Sequence, residues 1–319
     1  MKGSSQSNRF KGILFLLLIM LFTANCKRGV KIGKTNVNEE IRENFIEIVT
    51  ESMDIQLIDT ISSGWNTFRY HNNSKDTHLI LFDKYPEGKT IEDAEKYVVP
   101  VFQKGMDFIT AGNSEEGFAE FNNLPEWFFS VIYSGGIGLI SPNKTAETTL
   151  KLEPGYYIVE CYVKMENGMF HTSMGMSTSL IVSDEVSENK ELVPTVSVSI
   201  SGEEGIVFND TIKKGKHVFS VYFKDQKSHE NFLGHDVNLV KVEEGVNVKT
   251  LVNWINWAEP TGLISPAPDG FTFLGGVNDM PAGGTGYFTA MLEEGNFVLI
   301  SEVPNADSKN MLKYFTISN

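Results

Sequence analysis

Short runs in which apolar and polar residues alternate recur along the chain from about residue 45 onward, and they predict β-strands. The run Tyr156–Val163 is the clearest, because Tyr157, Val159 and Cys161 fall on one face and Glu160 on the other. Turn sequences rich in Glu, Pro and Gly separate such runs, as they do in hairpins. Several short strands at regular spacing are typical of β-sandwiches.

Two stretches depart from this alternation, and each predicts one short helix. In the first, Thr90 can cap the helix, and apolar residues share a face from Ile91 to Val98 until Pro100 ends it. In the second, Asn247 is the candidate cap, and an apolar stripe of helical spacing follows it. The pattern therefore predicts a mainly β fold with one short inserted helix in each half of the chain.

Three blocks of sequence occur twice in the same order. Gly135–Cys161 aligns without gaps on Gly275–Ser301, and both blocks begin with Gly-Gly. Upstream, His78 and His235 each open a strand-like run, and a third pair of blocks shares the sequence Asp-Thr-Ile. This order predicts two copies of one domain. Superposing the copies should pair His78 with His235 and Cys161 with Ser301.

The N-terminus has the pattern of an export signal. Residues 1–12 are polar and basic, and residues 13–24 are apolar or small, a run shorter than the ~20 residues that span a membrane. The following sequence, LFTANC, resembles the lipobox of bacterial lipoproteins, although Asn25 replaces the usual Gly or Ala. The resemblance implies lipidation of Cys26. A plain cleaved signal and an uncleaved short anchor are the alternatives.

The export signal and the repeat together divide the chain into five parts. The charged sequence SDEVSENKE lies between the copies and is typical of a linker. We assign residues 1–25 to a signal peptide, 26–44 to a lipid-linked tether, 45–184 to domain 1, 185–192 to the linker and 193–319 to domain 2. We expect an exported protein, anchored by its lipid to a membrane on the periplasmic or cell-surface side, with an envelope protein as partner.

Charge and motifs narrow the function further. The net charge of −14 argues against nucleic-acid binding, because a phosphate backbone repels an acidic surface. The two cysteines provide no disulfide framework. The sequence lacks a G-x-S-x-G elbow, a glycine-rich phosphate loop and an H-E-x-x-H motif. It therefore predicts no catalytic residues and no enzyme activity.

One constellation in the first copy resembles the cupredoxins, the blue-copper proteins. His78 opens a strand, Cys161 ends a later one, and His171 and Met176 follow in a single loop with four residues between them. The resemblance implies two tandem cupredoxin-like Greek-key sandwiches and a copper site made of these four residues. Nine residues separate Cys161 from His171, more than the family's usual two to four. A turn at Asn167-Gly168 would return the chain to the cysteine.

Each candidate ligand also has a structural interpretation. Cys161 is a plausible core residue, and His171 lies in a polar loop that we expect to be solvated and flexible. The second copy carries Ser301 at the cysteine position and no histidine before Met311, so we predict that it is free of metal. We therefore favour a non-enzymatic binding or structural role without a resident cofactor. A copper-binding or electron-transfer module in domain 1 is the alternative.

Two further features concern the surface. His217 and His229 have no partner nearby in the sequence, and we predict that both are surface residues. The aromatic insert 118–129 is predicted to cover the end of the first sandwich, with a binding loop as the alternative.

Overall fold

The computed structural model describes residues 45–208 and 211–318, in which strands dominate. The strands of the first copy are β1 (Phe45–Glu51), β2 (Asp54–Gln56), β3 (Thr60–Asn72), β4 (His78–Lys84), β5 (Ile132–Ile140), β6 (Lys144–Leu152), β7 (Gly155–Glu160) and β8 (Ser177–Val186). Those of the second are β9 (Val196–Ser201), β10 (Gly205–Val207), β11 (Gly215–Phe223), β12 (Val237–Val242), β13 (Phe271–Val277), β14 (Thr285–Leu292), β15 (Gly295–Ile300) and β16 (Leu312–Ile317). The predicted signal peptide, the lipidated Cys26 and the tether lie outside the described residues. Within the described ranges, no helix is long and apolar enough to cross a membrane.

The first copy is a cupredoxin-like sandwich of two sheets. In one sheet, β1 pairs antiparallel with β2 and parallel with β3, which pairs antiparallel with β6. The facing sheet runs β8–β7–β4–β5 in antiparallel pairs. Alternate residues of β3 are buried, as the sequence pattern predicts. In the core, the rings of Phe68 and Phe82 lie 4.7 Å apart, so side chains of the two sheets interlock.

The second copy repeats this topology. Strands β9, β10, β11 and β14 pair as β1, β2, β3 and β6 do, and β16–β15–β12–β13 corresponds to β8–β7–β4–β5. His78 begins β4 and His235 stands just before β12, whereas Cys161 and Ser301 directly follow β7 and β15. The predicted pairing of these residues across the repeat is confirmed.

The two copies share both sheets. β6 pairs antiparallel with β14, and β5 with β13. At each junction, residues that hold the same place in the aligned blocks face each other, namely Thr148 with Phe288 and Ile137 with Val277. This is the geometry of a two-fold symmetric dimer formed within one chain. One large cluster of buried apolar side chains accordingly includes residues of both copies.

The segment between the copies is short. β8 continues to Val186, so the first residues of the predicted linker belong to a strand. β9 begins at Val196, and residues 187–195 form neither helix nor strand.

The helical part differs between the copies. Its elements are α1 (Ile91–Tyr97), α2 (Val99–Thr110) and α3 (Ser114–Glu120) in the first copy and α4 (Val248–Trp254) in the second. The predicted caps are confirmed, since Thr90 forms a capping box with Asp93 and the Asn247 side chain accepts from the backbone of Lys249. The prediction of one helix in the first copy is wrong. Pro100 lies in the first turn of α2, where its missing N–H costs nothing, so the chain continues as helix.

The aromatic insert 118–129 forms the end of α3 and the 3₁₀ turns after it, and it belongs to the helical cover of the first copy. Phe121 is buried, and its ring lies 5.2 Å from that of Phe102 on α2. It also lies 5.8 Å from the ring of Trp257 in the second copy. The insert therefore covers the fold and joins the two copies, while Phe129 remains exposed.

Candidate metal centre

The pairing of β4 with β7 brings the candidate ligands of the first copy together. These strands are antiparallel, so the start of β4 at His78 lies beside the end of β7, which Cys161 directly follows. The backbone N–H of Leu79 donates to Cys161 Sγ over 3.5 Å. His171 and Met176 arrive from the loop before β8. All four candidate side chains are fully buried.

The long loop folds back as a hairpin. Lys164 pairs with Phe170, and the backbone N–H of His171 donates to Val163 O over 2.8 Å. Gly168 has a φ of +82°, which a glycine adopts without strain, and its N–H closes the turn on Met165 O. The predicted turn at Asn167-Gly168 is thus confirmed.

The expectation of a solvated loop is wrong for the base of the loop, although its tip at residues 166–167 is exposed. Val163, Lys164 and Phe170 are buried together with His171. The second copy covers them, because Lys164 N donates to Leu263 O over 2.7 Å and the backbone N–H of Ser265 donates to Lys164 O over 2.8 Å. A segment distant in sequence therefore buries the base of the loop, which the polarity of the loop alone could not indicate.

Three ligand atoms form a compact triangle. Nδ1 of His78 lies 3.1 Å from Nδ1 of His171, and Sγ of Cys161 lies 3.6 Å from each of them. A point about 2 Å from all three atoms lies inside this triangle, which fits metal–nitrogen and metal–sulfur bonds of about 2.0–2.3 Å. Among the described residues, this is the only group of three or more His, Cys, Asp or Glu residues close enough to hold one ion.

A hydrogen-bond chain orients the first histidine. His78 Nε2 lies 2.8 Å from Ser74 Oγ, which donates to Asn72 Oδ1 over 2.7 Å. The Asn72 amide nitrogen donates to backbone carbonyls, so its oxygen is the acceptor. Ser74 Oγ therefore accepts from His78 Nε2–H, and Nδ1 presents its lone pair to the triangle. Sequence analysis missed Ser74 and Asn72, although an Asn-Asn-Ser sequence just before the histidine is a signal for such a support.

Burial also sets the protonation of the ligands. It lowers the pKa of His78 to about 3, with a contribution from the neighbouring His171, and it lowers the pKa of His171 to about 4. Both imidazoles are therefore neutral at pH 7 and can offer lone pairs. Burial raises the pKa of the Cys161 thiol to about 12, so the thiolate needs a bound cation to form at neutral pH.

Met176 is held beside the triangle by its backbone. Cys161 N donates to Met176 O over 3.3 Å, and Met176 N donates to His171 O over 2.9 Å. The fourth candidate is thus tied directly to two of the other three residues.

The second copy keeps this backbone and replaces the side chains. Ser301 N donates to Met311 O over 3.0 Å, and Met311 N donates to Ala306 O over 2.8 Å. Ala306 thus occupies the place of His171. Its separation from Met311 equals that of His171 from Met176, a spacing from which the sequence could have identified it.

The histidines of the second copy have different surroundings. His229 is half-buried, and its Nε2 lies 2.9 Å from Nε2 of the buried His235. His217 is half-buried as well, and its Nε2 hydrogen-bonds to Lys213 O. The prediction that both are surface residues therefore holds only in part.

Comparisons with known proteins find similarity in solved structures. No family model and no curated protein matches the sequence. Auracyanin from Roseiflexus castenholzii is 18% identical over 44% of this chain and 96% of its own, with a TM-score of 0.27. Auracyanin A from Chloroflexus aurantiacus is 24% identical over 44% and 98%, with a TM-score of 0.27. A copper-containing nitrite reductase from Thermus scotoductus is 11% identical over 86% and 61%, with a TM-score of 0.22. The function proposed below therefore rests on the geometry of the site alone.

Proposed function

We propose that the first copy binds one copper ion, which His78 Nδ1, His171 Nδ1 and Cys161 Sγ would hold, with the thioether of Met176 as the fourth candidate ligand. The main support is that the three donor atoms surround a common point at the distance of a metal–ligand bond, in a fully buried site. Two imidazoles and a thiolate in one plane, with a thioether on the axis, are the donors of blue-copper electron-transfer centres. This geometry favours the copper alternative over the metal-free role.

When bound, copper would supply one-electron redox chemistry. The chain supplies the conditions for it. Burial keeps both imidazoles neutral, and the hydrogen bond from His78 Nε2 to Ser74 leaves the Nδ1 lone pair of His78 facing the triangle. Ser74 holds the His78 ring, and the N–H of Leu79 steadies the cysteine sulfur. Such outer contacts orient ligands and tune the potential of a site.

The second copy supports a ligand role for Cys161 and His171. Ser301 and Ala306 hold the same backbone positions and are fully buried. The fold therefore forms in the second copy without a thiol or an imidazole at these positions. A purely structural role would not explain why the first copy has Cys161 and His171 there.

Electron transfer fits the site better than catalysis. The three donor side chains and Met176 are fully buried, so a substrate in solution has no direct access to the site. Met174 is 48% exposed, and its backbone N–H donates to His171 O over 2.9 Å, which gives a short bonded route from a ligand to the surface. We infer a non-enzymatic electron carrier or copper-handling module that meets a redox partner at this face.

We also propose that the protein is exported and anchored through Cys26, where it would meet an envelope partner. The support is the apolar run that ends at this cysteine. Cys26→Ala should abolish fatty-acid labelling and partitioning into the detergent phase. Unchanged membrane association of the variant would contradict the anchor.

The copper proposal is tested by titrating the metal-free protein with Cu(II) and recording the visible spectrum. We expect an intense thiolate-to-copper band that saturates at one equivalent. Cys161→Ser should abolish the band, because a hydroxyl does not replace the thiolate. Ser301→Ala, the matched change in the second copy, should leave it intact. A colourless protein without stoichiometric copper or thermal stabilisation by it would leave the binding or structural role.

A further inference from the structure

A cavity of about 110 Å³ lies between the helical cover of the first copy and residues of the second. Its floor carries three carboxylates, those of Asp83, Glu160 and Asp279. Glu160 precedes Cys161 on a strand whose successive side chains point to opposite faces, so the cavity lies across the strand from the candidate copper site. Nothing in the copper proposal uses it.

The carboxylates of this cavity have no cationic partner. None of the ion pairs formed by the described residues includes Asp83, Glu160 or Asp279. Asp83 is 4% exposed, and its buried Oδ1 has no hydrogen-bond partner among the described residues. Asp279 accepts one hydrogen bond, from the backbone N–H of Gly234 over 3.2 Å. An unpartnered buried carboxylate costs free energy that a donor in the cavity would recover.

The electrostatics agree with this geometry. Burial raises the pKa of Asp83 well above its usual value, with contributions from Glu160 and Asp279. Burial raises the pKa of Asp279 in the same way, with a contribution from Asp236. Both carboxyl groups therefore hold their protons more tightly than a solvated carboxyl group does, and a cation bound in the cavity would favour their ionised forms.

The spacing of the carboxylates disfavours a single metal ion. In the part of the chain that the structure describes, only the triangle of His78, Cys161 and His171 brings three such ligand atoms within 4.8 Å of one another. The three carboxylates of the cavity do not form such a group. An ammonium group carries several N–H donors, each of which can bond to a single carboxylate oxygen.

Apart from Thr172 and the hydroxyl groups of three tyrosines, the rest of the cavity lining is apolar or aromatic. Phe102, Phe128, Phe232 and Trp257 line it, and the Phe102 ring lies 5.7 Å from that of Phe128 and 6.1 Å from that of Trp257. Aromatic faces attract organic cations and pack against apolar groups. A ligand with a charged end and an apolar body would satisfy both parts of the cavity.

We propose that this cavity binds a small primary amine in its ammonium form. The ammonium group donates to the carboxylates of Asp83, Glu160 and Asp279, and the apolar body lies against Phe102, Phe128 and Trp257. The site is distinct from the candidate copper site and goes beyond the proposed electron-transfer function.

The test is calorimetric titration of the full-length, copper-free protein with benzylamine. We expect saturable binding at one site. Benzyl alcohol has the same shape without the charge, and it should bind at least about tenfold more weakly, because hydrogen bonds to charged groups are the stronger ones. Benzoate should bind more weakly than benzylamine, because the cavity offers its negative charge no cationic partner.

Matched variants locate the site. Asp83→Asn removes the charge and keeps the shape, and it should weaken benzylamine binding by about tenfold or more. Asp279→Asn should act in the same direction and serves if the first variant does not fold. Asp269→Asn changes an exposed aspartate outside the cavity and should leave the affinity unchanged. Equal binding of benzyl alcohol, full affinity in both cavity variants, no binding at millimolar amine, or binding of Mn²⁺ in its place would each overturn the proposal.

Discussion

The two copies build the same loop around different side chains. Cys161 and His171 of the first copy stand where the second copy has Ser301 and Ala306. In both copies the same two backbone hydrogen bonds tie the loop to a buried methionine. The backbone geometry is thus independent of the candidate ligand side chains.

In the second copy, the serine at the cysteine position is hydrogen-bonded to a buried carboxylate. Ser301 Oγ donates to Asp236 Oδ1 over 2.8 Å, and the backbone N–H of Glu302 donates to the same oxygen over 2.6 Å. Leu79 of the first copy holds the position of Asp236, and its backbone N–H donates to the Cys161 sulfur. One copy is therefore arranged around three convergent donor atoms, and the other around a buried carboxylate. Features that both copies share are therefore features of the fold, and features of the first copy alone belong to the candidate site.

The largest expected effect comes from making the first site like the second. His171→Ala should abolish the thiolate-to-copper absorption band, because one of the three donors is lost. The copper-free variant should still fold, at a cost of about 1–3 kcal/mol for the cavity. Visible spectra and urea unfolding measure the two effects. His217→Ala, at a surface histidine, should change neither, and a variant that keeps the band would contradict the assignment of His171.

The reverse experiment introduces the ligand residues of the first copy into the second copy. The double variant Ser301→Cys with Ala306→His restores the missing ligand types beside His235 and Met311. We expect the bound copper to rise from one to two equivalents, measured by metal analysis after removal of free ion. Each single variant is the control and should stay at one. A folded double variant that binds only one equivalent would mean that the two loops differ more than their hydrogen bonds indicate.

Asp236 should give the second copy its own pH dependence. Burial raises the pKa of Asp236 from 3.8 to about 6, so the folded protein binds this proton more tightly than the unfolded chain does. The stability that this tighter proton binding gives the folded protein is complete below about pH 4 and is lost as the pH rises through about 6. Asparagine does not titrate. The stability of Asp236→Asn relative to the parent should therefore increase by about 2–3 kcal/mol between pH 4 and pH 7.

Urea unfolding of both copper-free proteins at the two pH values measures this difference. The comparison cancels the titration of the buried histidines, which both proteins share. Asp269→Asn, at an exposed aspartate, should show a difference that is flat with pH. A flat difference for Asp236→Asn as well would mean that the carboxylate is equally acidic in the folded and unfolded states.

The smallest expected effect concerns the support of His78. Ser74→Ala removes the acceptor of its Nε2–H, and loss of such a contact typically weakens metal binding about 10- to 100-fold. Competition with a chelator of known affinity measures the change. Ser308→Ala, at an exposed serine, is the control. An unchanged affinity would mean that packing alone orients the histidine ring.

The strands and the repeat could be predicted from the sequence because both depend on local pattern. The alternation of apolar and polar residues identified the strand that Cys161 directly follows. The aligned blocks identified the corresponding strand before Ser301. The capping residues Thr90 and Asn247 marked two helix starts for the same reason. The end of the first helix could not be predicted, because Pro100 is compatible with both a stop and a new helical start.

The candidate site was predictable in its residue types and not in its environment. The order of His78, Cys161, His171 and Met176 was enough to nominate them. The polarity of the loop between Cys161 and His171 suggested exposure, whereas Leu263 and Ser265 of the other copy cover it. Burial depends on chain segments far away in sequence, so no local pattern carries it.

The sequence by itself determined the strand pattern, the two-fold repetition, and which residues of the first copy could bind a metal, because these follow from the residue types and their spacing. Only the tertiary structure decided that the donor atoms meet at bonding distance. It also decided that the copies join through β5–β13 and β6–β14, and that three carboxylates face one cavity. These features arise from hydrogen bonds and packing between segments many residues apart, which fix distance and burial only when the whole chain has folded.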